Sequence, residues 1–340
     1  MMLINEKLIS LQRDAPIFHD PADALVFEPD LKKAFLTGPV LKFDDAYTYH
    51  RTIIDLSHFK IYNSYTHYHW NYRFFFLQIY RRMFSQKIRK EVLKIDKAIW
   101  ITDSLLGNYY HWLIDCLGRY IQAEAFVSGH IVLIPEAFRY WKPIPEILNW
   151  LNIPFIYYDS YKVYKIRELL LPGFCCKNGD QDPGIISKLS KKFLRGARHP
   201  AFRKIYASRK KANYRFVLNE AEVIACLEKW DIEIHCFEDY DFEKQNKLMN
   251  ECKLLIGLHG AGLANMVMMP PGGGVIELKN TREAGLNHYF NLANTLEFRY
   301  SYVPAFSNDG KTLNSNFIVD IPILKDVLWQ TNNLLDKAVQ

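Results

Sequence analysis

The sequence has little of what marks several common protein classes. Its six cysteines include no CxxC pair and several lie in apolar segments, which argues against a zinc ribbon or a dithiol redox centre. No window reaches the roughly 18 uncharged apolar residues of a transmembrane helix. Charged residues follow Met1 and Met2 too early for a signal peptide. These absences predict a cytoplasmic protein with reduced thiols and no membrane span.

Several catalytic signatures are also missing. The chain contains no GxSxG elbow, and no lysine follows a glycine loop as in a Walker A motif, which argues against a serine hydrolase and a P-loop nucleotidase. The glycines between Gly257 and Gly262 follow G-x-x-G-x-G rather than G-x-G-x-x-G. A nicotinamide-dependent enzyme is therefore the weaker of the nucleotide-binding hypotheses.

Side-chain pairs that could bind a metal are few: Asp239 with Asp241, Asp180 with Asp182, and His67 with His69. Asp241 directly precedes a predicted helix, so an N-cap explains it, and Asp182 lies in a turn before a Pro-Gly pair. The two histidines lack a third ligand. The sequence therefore predicts no metal site and no other cofactor.

Length and charge leave room for two domains and an anionic partner. The chain has 340 residues and a net charge of +6, which suits an anionic ligand or a membrane surface, although a slight lysine excess on the surface explains it equally well. Aromatic residues are dense between Tyr47 and Phe84, and basic residues follow up to Lys90. This segment either contacts anionic lipid or a lipid-linked substrate, or forms an aromatic core with a basic solvent face.

From Lys97 onward, apolar runs alternate with helix-compatible segments, which predicts an α/β architecture with parallel sheets covered on both faces. The predicted strands lie at 98–101, 131–134, 155–158, 204–207, 232–235, 254–257 and 275–278, and the helices at 110–125, 145–151, 185–198, 220–229, 243–251 and 325–337. The predicted N-terminal domain spans residues 1–199; it is β-rich over 1–92, with turns such as Phe27–Asp30, and Rossmann-like over 93–199. A C-terminal nucleotide-binding domain follows over 200–322. The last segment, 323–340, is a helix that is predicted to pack back on the N-terminal domain. Two Rossmann-like βαβ domains of this kind would face a cleft.

The segment Leu254–Asn265 carries the strongest signal for a ligand. An apolar strand runs into a turn with three glycines and one histidine, and a helix-compatible stretch follows, which is how a buried parallel strand delivers a phosphate-binding turn. The side chains and backbone donors predicted to contact the ligand are those of His259, Gly260, Ala261, Gly262 and Asn265.

Charged residues near two other predicted strands complete the candidate nucleotide site. Arg209 is the predicted phosphate clamp, because its planar guanidinium suits bidentate contact, and Lys210, Lys211 and Arg215 are secondary candidates. Glu277 lies in the strand after the glycine turn, where its carboxylate could accept from both ribose hydroxyls. The alternative is a solvated basic loop and a surface carboxylate. Cation, glycine turn and carboxylate together predict a site for the diphosphate and ribose of a nucleotide.

His111 and Asp115 are four residues apart, so they share one face of the predicted helix. A carboxylate or an imidazole within hydrogen-bond reach of a hydroxyl can take its proton. The pair is therefore a candidate for acid–base chemistry, and the alternative is a polar pair that only caps and packs.

Four segments resemble, in order, the motifs of glycosyltransferase family 61: Asn108–Asp115, Ala207–Lys210, Gly257–Asn265 and Val275–Leu278. The resemblance extends over about residues 95–285. It implies a GT-B fold, inversion at the anomeric carbon, a nucleotide-sugar donor that is often UDP-linked, and no obligatory metal. It also implies that Asp115 or His111 is the catalytic base, with a slight preference for Asp115, and that Asn108 caps the helix or binds a sugar hydroxyl.

The expected function is therefore an inverting glycosyltransferase that moves a sugar from a nucleotide-sugar to a saccharide or glycolipid hydroxyl, in capsular polysaccharide or lipopolysaccharide assembly. The expected partners are the donor, the acceptor and the inner face of the membrane as a peripheral contact, without nucleic acid. The alternative is a non-catalytic subunit of a polysaccharide synthase that binds a nucleotide or a carbohydrate.

Overall fold

The computed structural model describes residues 2–18, 20, 23–58, 60–62, 92–177, 179–194, 200–281, 286–307 and 315–337. The His67–His69 pair and most of the aromatic-rich segment lie outside the described residues. The chain separates into two compact units, the first comprising Met1–Lys7 and Thr37–Cys175, and the second Leu8–Leu36 and Cys176–Gln340. The bounds of these units differ from the predicted domains, because residues 8–36 and 176–199 group with the second unit.

The described strands, in chain order, are β1 (Met2–Ile4), β2 (Lys7–Gln12), β3 (Lys32–Thr37), β4 (Val40–Tyr49), β5 (Thr52–Asp55), β6 (Lys60–Tyr62), β7 (Leu93–Ile99), β8 (Ile131–Pro135), β9 (Phe155–Tyr158), β10 (Tyr164–Pro172), β11 (Cys176–Lys177), β12 (Asp180–Gln181), β13 (Arg203–Ala207), β14 (Glu233–His235), β15 (Cys252–Leu258), β16 (Gly274–Lys279), β17 (Arg299–Ser307) and β18 (Phe317–Val319). The described α-helices are α1 (Ala24–Leu31), α2 (Leu117–Gln122), α3 (Pro143–Trp150), α4 (Pro183–Phe193), α5 (Glu220–Leu227), α6 (Phe242–Asn250), α7 (His288–Thr295) and α8 (Ile321–Lys337). A π-helical turn spans His111–Cys116, and the longest 3₁₀ segment described is Ala261–Met268.

The first unit is built on one mixed sheet. Its strands follow the order β6-β5-β4-β10-β7-β8-β9, with β1 paired to β4. Strands β10, β7, β8 and β9 are parallel, whereas β4 runs antiparallel to β10. The predicted parallel strands are therefore confirmed at β7, β8 and β9. The prediction did not include β10, through which the N-terminal strands extend the same sheet with antiparallel pairing.

The main sheet of the second unit follows the order β14-β13-β15-β16-β17-β18. The first five strands are parallel and β18 is antiparallel to β17. From β13 the chain passes through α5 to β14 on one side, and then through α6 to β15 on the other side of β13. The strand order therefore reverses between β13 and β15. In open α/β sheets, ligands bind outside the carboxyl ends of the strands at such a switch point.

Apolar strand residues and α8 form the core of the second unit. Ile256 and Ile276 are fully buried, as expected for strands of a parallel sheet covered on both faces. Helix α8 buries Leu324 and Val327 against this core. Its apolar face thus has a partner within the second unit, and packing against the N-terminal domain stays a prediction.

Two local predictions are wrong. Phe27–Asp30 lies in α1 instead of a turn, although Pro29 removes one backbone donor from that helix. The ring of Phe27 packs 5.0 Å from those of Phe290 and Tyr302, so buried aromatic contacts outweigh the local signal. The helix predicted over 185–198 ends at Phe193. Among the described helices, none has the length and apolarity that crossing a bilayer requires.

Candidate active site

Two loops meet at the switch point of the second unit. Strand β13 ends at Ala207 and leads to the basic turn 208–211, and β15 ends at Leu258 and leads to the glycine turn 259–262. Ala207 and Gly257 are register partners on these adjacent parallel strands, so both loops leave the same edge of the sheet. The structure therefore brings the two predicted turns together.

Arg209 lies across the glycine turn. Its Nε and Nη2 donate to the carbonyl oxygens of Arg215 and Tyr214, each at 3.0 Å, which holds the guanidinium in place. Among the described residues, no carboxylate forms an ion pair with Arg209. Burial and the neighbouring charge of Arg215 lower the pKa of Arg209. A partly desolvated guanidinium without a carboxylate partner is well suited to bind an anion.

The glycines of the turn have different physical roles. The φ of Gly260, 169°, is extended backbone that any residue can adopt, but a Cβ there would overlap with the Arg209 guanidinium. Ala261 and Gly262 begin the 3₁₀ segment, and nothing lies within 4 Å of where a Cβ of Gly262 would be. The turn thus combines close contact between backbone and guanidinium with open space that could accept a phosphate group.

His259 is held from several sides. Its Nδ1 bonds to Glu277 Oε1, its carbonyl oxygen accepts from Arg215 Nη1 at 2.6 Å, and its N–H donates to the carbonyl of Leu278 at 3.0 Å. The ring of Tyr289 meets the imidazole edge-on, with centroids 5.0 Å apart. Arg215 has a φ of +65°, in the left-handed region, which costs about 1 kcal/mol for a non-glycine residue. Such local strain is typical of functional sites.

Glu277 is fully buried, and both of its oxygens have protein partners. Oε1 bonds to His259, and Oε2 accepts from the hydroxyl of Tyr300 at 2.5 Å. Burial alone would raise the pKa of Glu277, but the charge of Lys279 and the interactions with His259 and Tyr300 outweigh it, so that pKa is lowered. The expected contact of Glu277 with ribose stays a prediction, and the geometry directs this carboxylate to His259. The sequence reasoning missed Tyr300, whose position on β17 becomes relevant only when the strands pair.

The other predicted donor-binding residues differ in exposure. Lys210 is exposed, and its backbone N–H donates to Ser208 Oγ at 3.2 Å. Lys211 forms a surface ion pair with Asp239, in agreement with the alternative of a solvated basic loop. Asn265 lies within the 3₁₀ segment and is only 1% exposed, so it is buried in the second unit. Of the basic turn, Arg209 is therefore the residue best placed to contact a ligand of the glycine turn.

In the first unit, His111 and Asp115 form a direct pair. His111 Nδ1 lies 2.6 Å from Asp115 Oδ2, and the two side chains are 22% and 18% exposed. Both residues lie in the π-helical turn, in which the N–H of Leu117 donates to the carbonyl of Trp112. Isolated π-helical turns are frequent at functional sites. The predicted face-sharing of His111 and Asp115 is confirmed.

The electrostatics of this pair favour a charged or readily charged imidazole. Burial alone would lower the pKa of His111, but the bond to Asp115 and the charges of Asp115 and Asp103 outweigh it and raise that pKa. Asp115 Oδ1 makes no hydrogen bond among the described residues. Asn108 Oδ1 accepts from the N–H of Tyr110 at 2.9 Å, which agrees with the predicted capping role.

Arg119 is a buried cation near this pair that the sequence reasoning missed. It is fully buried and donates to the carbonyl oxygens of Pro172 and Ile101, at 2.6 and 3.0 Å. It thereby ties the ends of β10 and β7 to α2, the helix that continues the π-helical turn. Burial lowers the pKa of Arg119, and the charges of Asp103 and Asp115 partly oppose that effect. The sequence feature that could have pointed to Arg119 was a lone arginine among the apolar residues of the predicted helix 110–125.

The two Asp-x-Asp triplets have structural roles. Asp241 accepts from a backbone N–H in the first turn of α6 at 2.8 Å, which confirms the predicted N-cap. Asp182 caps α4 in the same way at 2.8 Å, and Asp180 pairs with the buried Arg13 at 2.7 Å. In the part of the chain that the structure describes, no three His, Cys, Asp or Glu side chains converge as metal ligands do.

Comparison with known proteins agrees with this geometry. The family described as Glycosyltransferase 61 matches residues 109–276, just under half of the chain. The resemblance to glycosyltransferase family 61 is confirmed. The matched range contains the His111–Asp115 pair, Arg209 and the glycine turn, and it ends immediately before Glu277.

One curated relative is the EGF domain-specific O-linked N-acetylglucosamine transferase of Drosophila melanogaster. It is 37% identical over 98 residues, which represent 28% of this chain and 18% of that protein. The match thus spans less than a fifth of the relative's length. The similarity therefore concerns a segment of the relative and not the whole protein.

Proposed function

We propose that this chain is an inverting, metal-independent glycosyltransferase that moves a sugar from a UDP-linked donor to a hydroxyl of a saccharide or glycolipid. The family 61 match supports glycosyltransferase activity. The main support for donor binding comes from Arg209. Its guanidinium lies across the glycine turn at the switch point and forms no ion pair with a carboxylate among the described residues. A GT-B arrangement of two Rossmann-like domains is part of the same proposal.

In this proposal the second unit binds the nucleotide. Arg209 contacts the diphosphate, the backbone at 260–262 approaches it, and His259 donates a hydrogen bond from Nε2. When the bond between sugar and diphosphate breaks, its electron pair stays on the diphosphate oxygen, so the leaving group gains negative charge. The charges of Arg209 and Arg215 stabilise that group, a role that a divalent cation has in other transferases. This is why we propose catalysis without a metal.

The first unit supplies the base in this proposal. His111 takes the proton of the acceptor hydroxyl while that oxygen attacks the anomeric carbon opposite the departing diphosphate, which inverts the configuration. Asp115 holds Nδ1 and thereby leaves Nε2 for the hydroxyl. The sequence slightly favoured Asp115 as the base, but the bond between the two supports His111 in that role. The raised pKa of His111 brings it towards neutral pH, where a general base works best.

Capsular polysaccharide or lipopolysaccharide is the proposed destination of the sugar, with the protein in the cytoplasm at the inner face of the membrane. The net charge of +6 suits an anionic surface. The similar Drosophila protein is named for EGF domains. An acceptor panel should therefore contain a folded EGF domain beside oligosaccharides and glycolipids.

The first experiment is a thermal-shift panel of UDP, GDP, CDP, CMP and NAD, with and without EDTA. Stabilisation by UDP that survives EDTA is expected, because guanidinium charges replace the metal. Stabilisation by NAD alone would contradict the transferase proposal, and a shift that EDTA abolishes would contradict metal independence. Binding of UDP without transfer to any acceptor would favour the non-catalytic subunit.

The second experiment tests the clamp. Arg209→Ala should weaken UDP binding roughly 10- to 100-fold in calorimetry, because a charge-assisted contact with phosphate is lost. Lys211→Ala is the matched control, since Lys211 is a cation of the same turn whose charge is paired with Asp239. Equal affinities of the two variants would remove Arg209 from the donor site.

A further inference from the structure

Three polar side chains form a continuous chain of hydrogen bonds across the second unit. His259 follows β15, Glu277 lies on β16 and Tyr300 lies on β17, so three neighbouring parallel strands supply one residue each. The imidazole Nδ1 bonds to one carboxylate oxygen, and the phenol donates to the other at 2.5 Å. Register on adjacent strands sets these contacts, because Glu277 pairs with Gly257 on one side and Tyr302 on the other.

The carboxylate in the middle of this chain is charged. A buried carboxylate is unfavourable unless it is paired and hydrogen-bonded. Despite its complete burial, the pKa of Glu277 is lowered, because Lys279, His259 and Tyr300 together outweigh the effect of burial. Burial and the charge of Glu277 in turn raise the pKa of Tyr300, which keeps the phenol as a donor. Glu277 is therefore an acceptor at both oxygens.

A charged acceptor at Nδ1 determines which nitrogen of His259 can meet a ligand. Because Nδ1 carries the proton that bonds to Glu277, Nε2 is the nitrogen left for another partner. The His259 side chain is 16% exposed, whereas that of Glu277 is not exposed at all. A ligand of the glycine turn can thus reach the imidazole but not the carboxylate.

We propose that Glu277 and Tyr300 are positioning residues that set the tautomer and the charge of His259, so that His259 gains a proton at Nε2 when a nucleotide-sugar binds. This inference rests on the proposed function, because it takes the diphosphate of the donor as the ligand. The diphosphate oxygens carry only acceptors, so a neutral imidazole with a lone pair at Nε2 would repel them. The proton taken from water turns Nε2 into a donor.

Charged groups of both signs surround His259. The titratable and charged groups around the imidazole are Glu277 on β16, Tyr300 on β17, Tyr289 on α7, Arg209 and Arg215 after β13, and Lys279, which acts on Glu277. Glu277 and the two guanidiniums thus place charges of opposite sign around the imidazole. An incoming diphosphate neutralises the guanidiniums and adds negative charge, so it shifts the balance towards the imidazolium.

The test is calorimetry with UDP-N-acetylglucosamine, whose diphosphate has no group that titrates near neutral pH. The titration is repeated in buffers of different ionisation enthalpy between about pH 5 and pH 8, the range in which histidine changes charge. If UDP-N-acetylglucosamine does not bind, it is replaced by a nucleotide-sugar whose nucleoside diphosphate stabilises the protein in the thermal-shift panel. The wild type should take up a proton on binding, and its affinity should fall as pH rises.

Two variants separate the positioning role from a structural one. Glu277→Gln should bind roughly tenfold more weakly at neutral pH, and the midpoint of its pH dependence should move to lower pH. Tyr300→Phe should move this midpoint to higher pH by a smaller amount, because the Glu277 carboxylate then loses the phenol donor and interacts more strongly with His259. Tyr302→Phe and Asp23→Asn are matched controls, since the phenol of Tyr302, also on β17, donates to Asp23 at 2.9 Å and has no hydrogen bond to His259. Both controls should keep the wild-type midpoint.

The outcomes distinguish this inference from the proposed function. If the wild type binds no nucleoside diphosphate or nucleotide-sugar, the proposed function fails and the inference falls with it. If the wild type binds but takes up no proton, or if Glu277→Gln keeps the wild-type midpoint, the inference alone is refuted. If Glu277→Gln does not fold, Tyr300→Phe decides: a midpoint equal to that of Tyr302→Phe refutes the positioning role.

Discussion

Each unit holds one histidine–carboxylate pair in a candidate site, and the two pairs differ in how the fold builds them. His111 and Asp115 are four residues apart in one helical turn, and both are partly exposed, at 22% and 18%. His259 and Glu277 come from a loop and the next strand, and only the histidine is exposed, at 16% against 0%. The local pair leaves both groups open to a substrate, whereas the long-range pair offers the imidazole alone. In our proposal, the same type of bond therefore supports a proton acceptor in one unit and a fixed ligand contact in the other.

The largest expected effect comes from removing the histidine of the local pair. His111→Ala should lower kcat about a thousandfold while nucleotide affinity stays at the wild-type value, because a general base acts on the transition state only. Steady-state transfer rates and calorimetry measure the two quantities. His58→Ala is the control, since its Nδ1 also lies 2.7 Å from a carboxylate, Asp55, but its side chain is 75% exposed. A loss below tenfold would place the base elsewhere.

Changing carboxylate length should affect the two pairs differently. Glu277→Asp should lower the free energy of unfolding by about 2 kcal/mol, because the shorter side chain leaves buried polar atoms without partners. Asp115→Glu should lower it by less, about 1 kcal/mol, since that carboxylate is partly exposed and only one of its oxygens has a hydrogen-bond partner among the described residues. Chemical denaturation provides the comparison. Similar losses in both variants would contradict the distinction between a buried and an open pair.

The glycine turn offers a smaller test of the donor side. Gly260→Ala should weaken UDP binding about tenfold, because its methyl group would push Arg209 from its position. Gly262→Ala meets nothing within 4 Å in the protein itself, so its melting temperature should equal that of the wild type. Any loss of affinity in that variant would then locate the ligand beside Gly262. Wild-type affinity of Gly260→Ala would show that Arg209 can bind from another position.

The smallest expected effect is a shift in the pH dependence of transfer when Asp115 is replaced. Because the pKa of His111 is raised above about 6.5, kcat should rise with pH as the imidazolium loses its proton. Asp115→Asn removes the charge that helps to raise this pKa and leaves a weaker, neutral acceptor for Nδ1, so the rise should move to lower pH. The contribution of the pair to stability has the opposite sign: it is present below the ordinary histidine pKa and is lost as pH rises through the raised one. An unchanged pH profile in Asp115→Asn would contradict this pairing.

Much of the second unit was predictable because local signals agree there. The apolar runs at 204–207, 254–257 and 275–278 are strands β13, β15 and β16, and Asp241 caps α6 as its position before the helix indicated. The turns that follow two of these strands could be assigned to one edge, since carboxyl ends of neighbouring parallel strands lie together.

The first unit was less predictable because its sheet depends on long-range pairing. Nothing local shows that β10 pairs with β7 on one side and antiparallel with β4 on the other. Likewise, Phe27–Asp30 carries a turn signal, yet it forms helix through contacts with Phe290 and Tyr302. Contacts between residues far apart in the chain outweigh local preference at both places.

The sequence by itself determined which residues are candidates for the chemistry: His111 and Asp115 at helical spacing, Arg209 in a basic turn, and His259 between glycines. Only the tertiary structure decided what these groups touch. Helical spacing sets a contact over four residues, so the His111–Asp115 bond could be read from the chain. The partners of His259 depend on strand order and register, which bring Glu277 and Tyr300 from 18 and 41 positions further along the chain into contact. Strand pairing is a long-range property, and it places Glu277, the expected ribose ligand, in contact with a histidine.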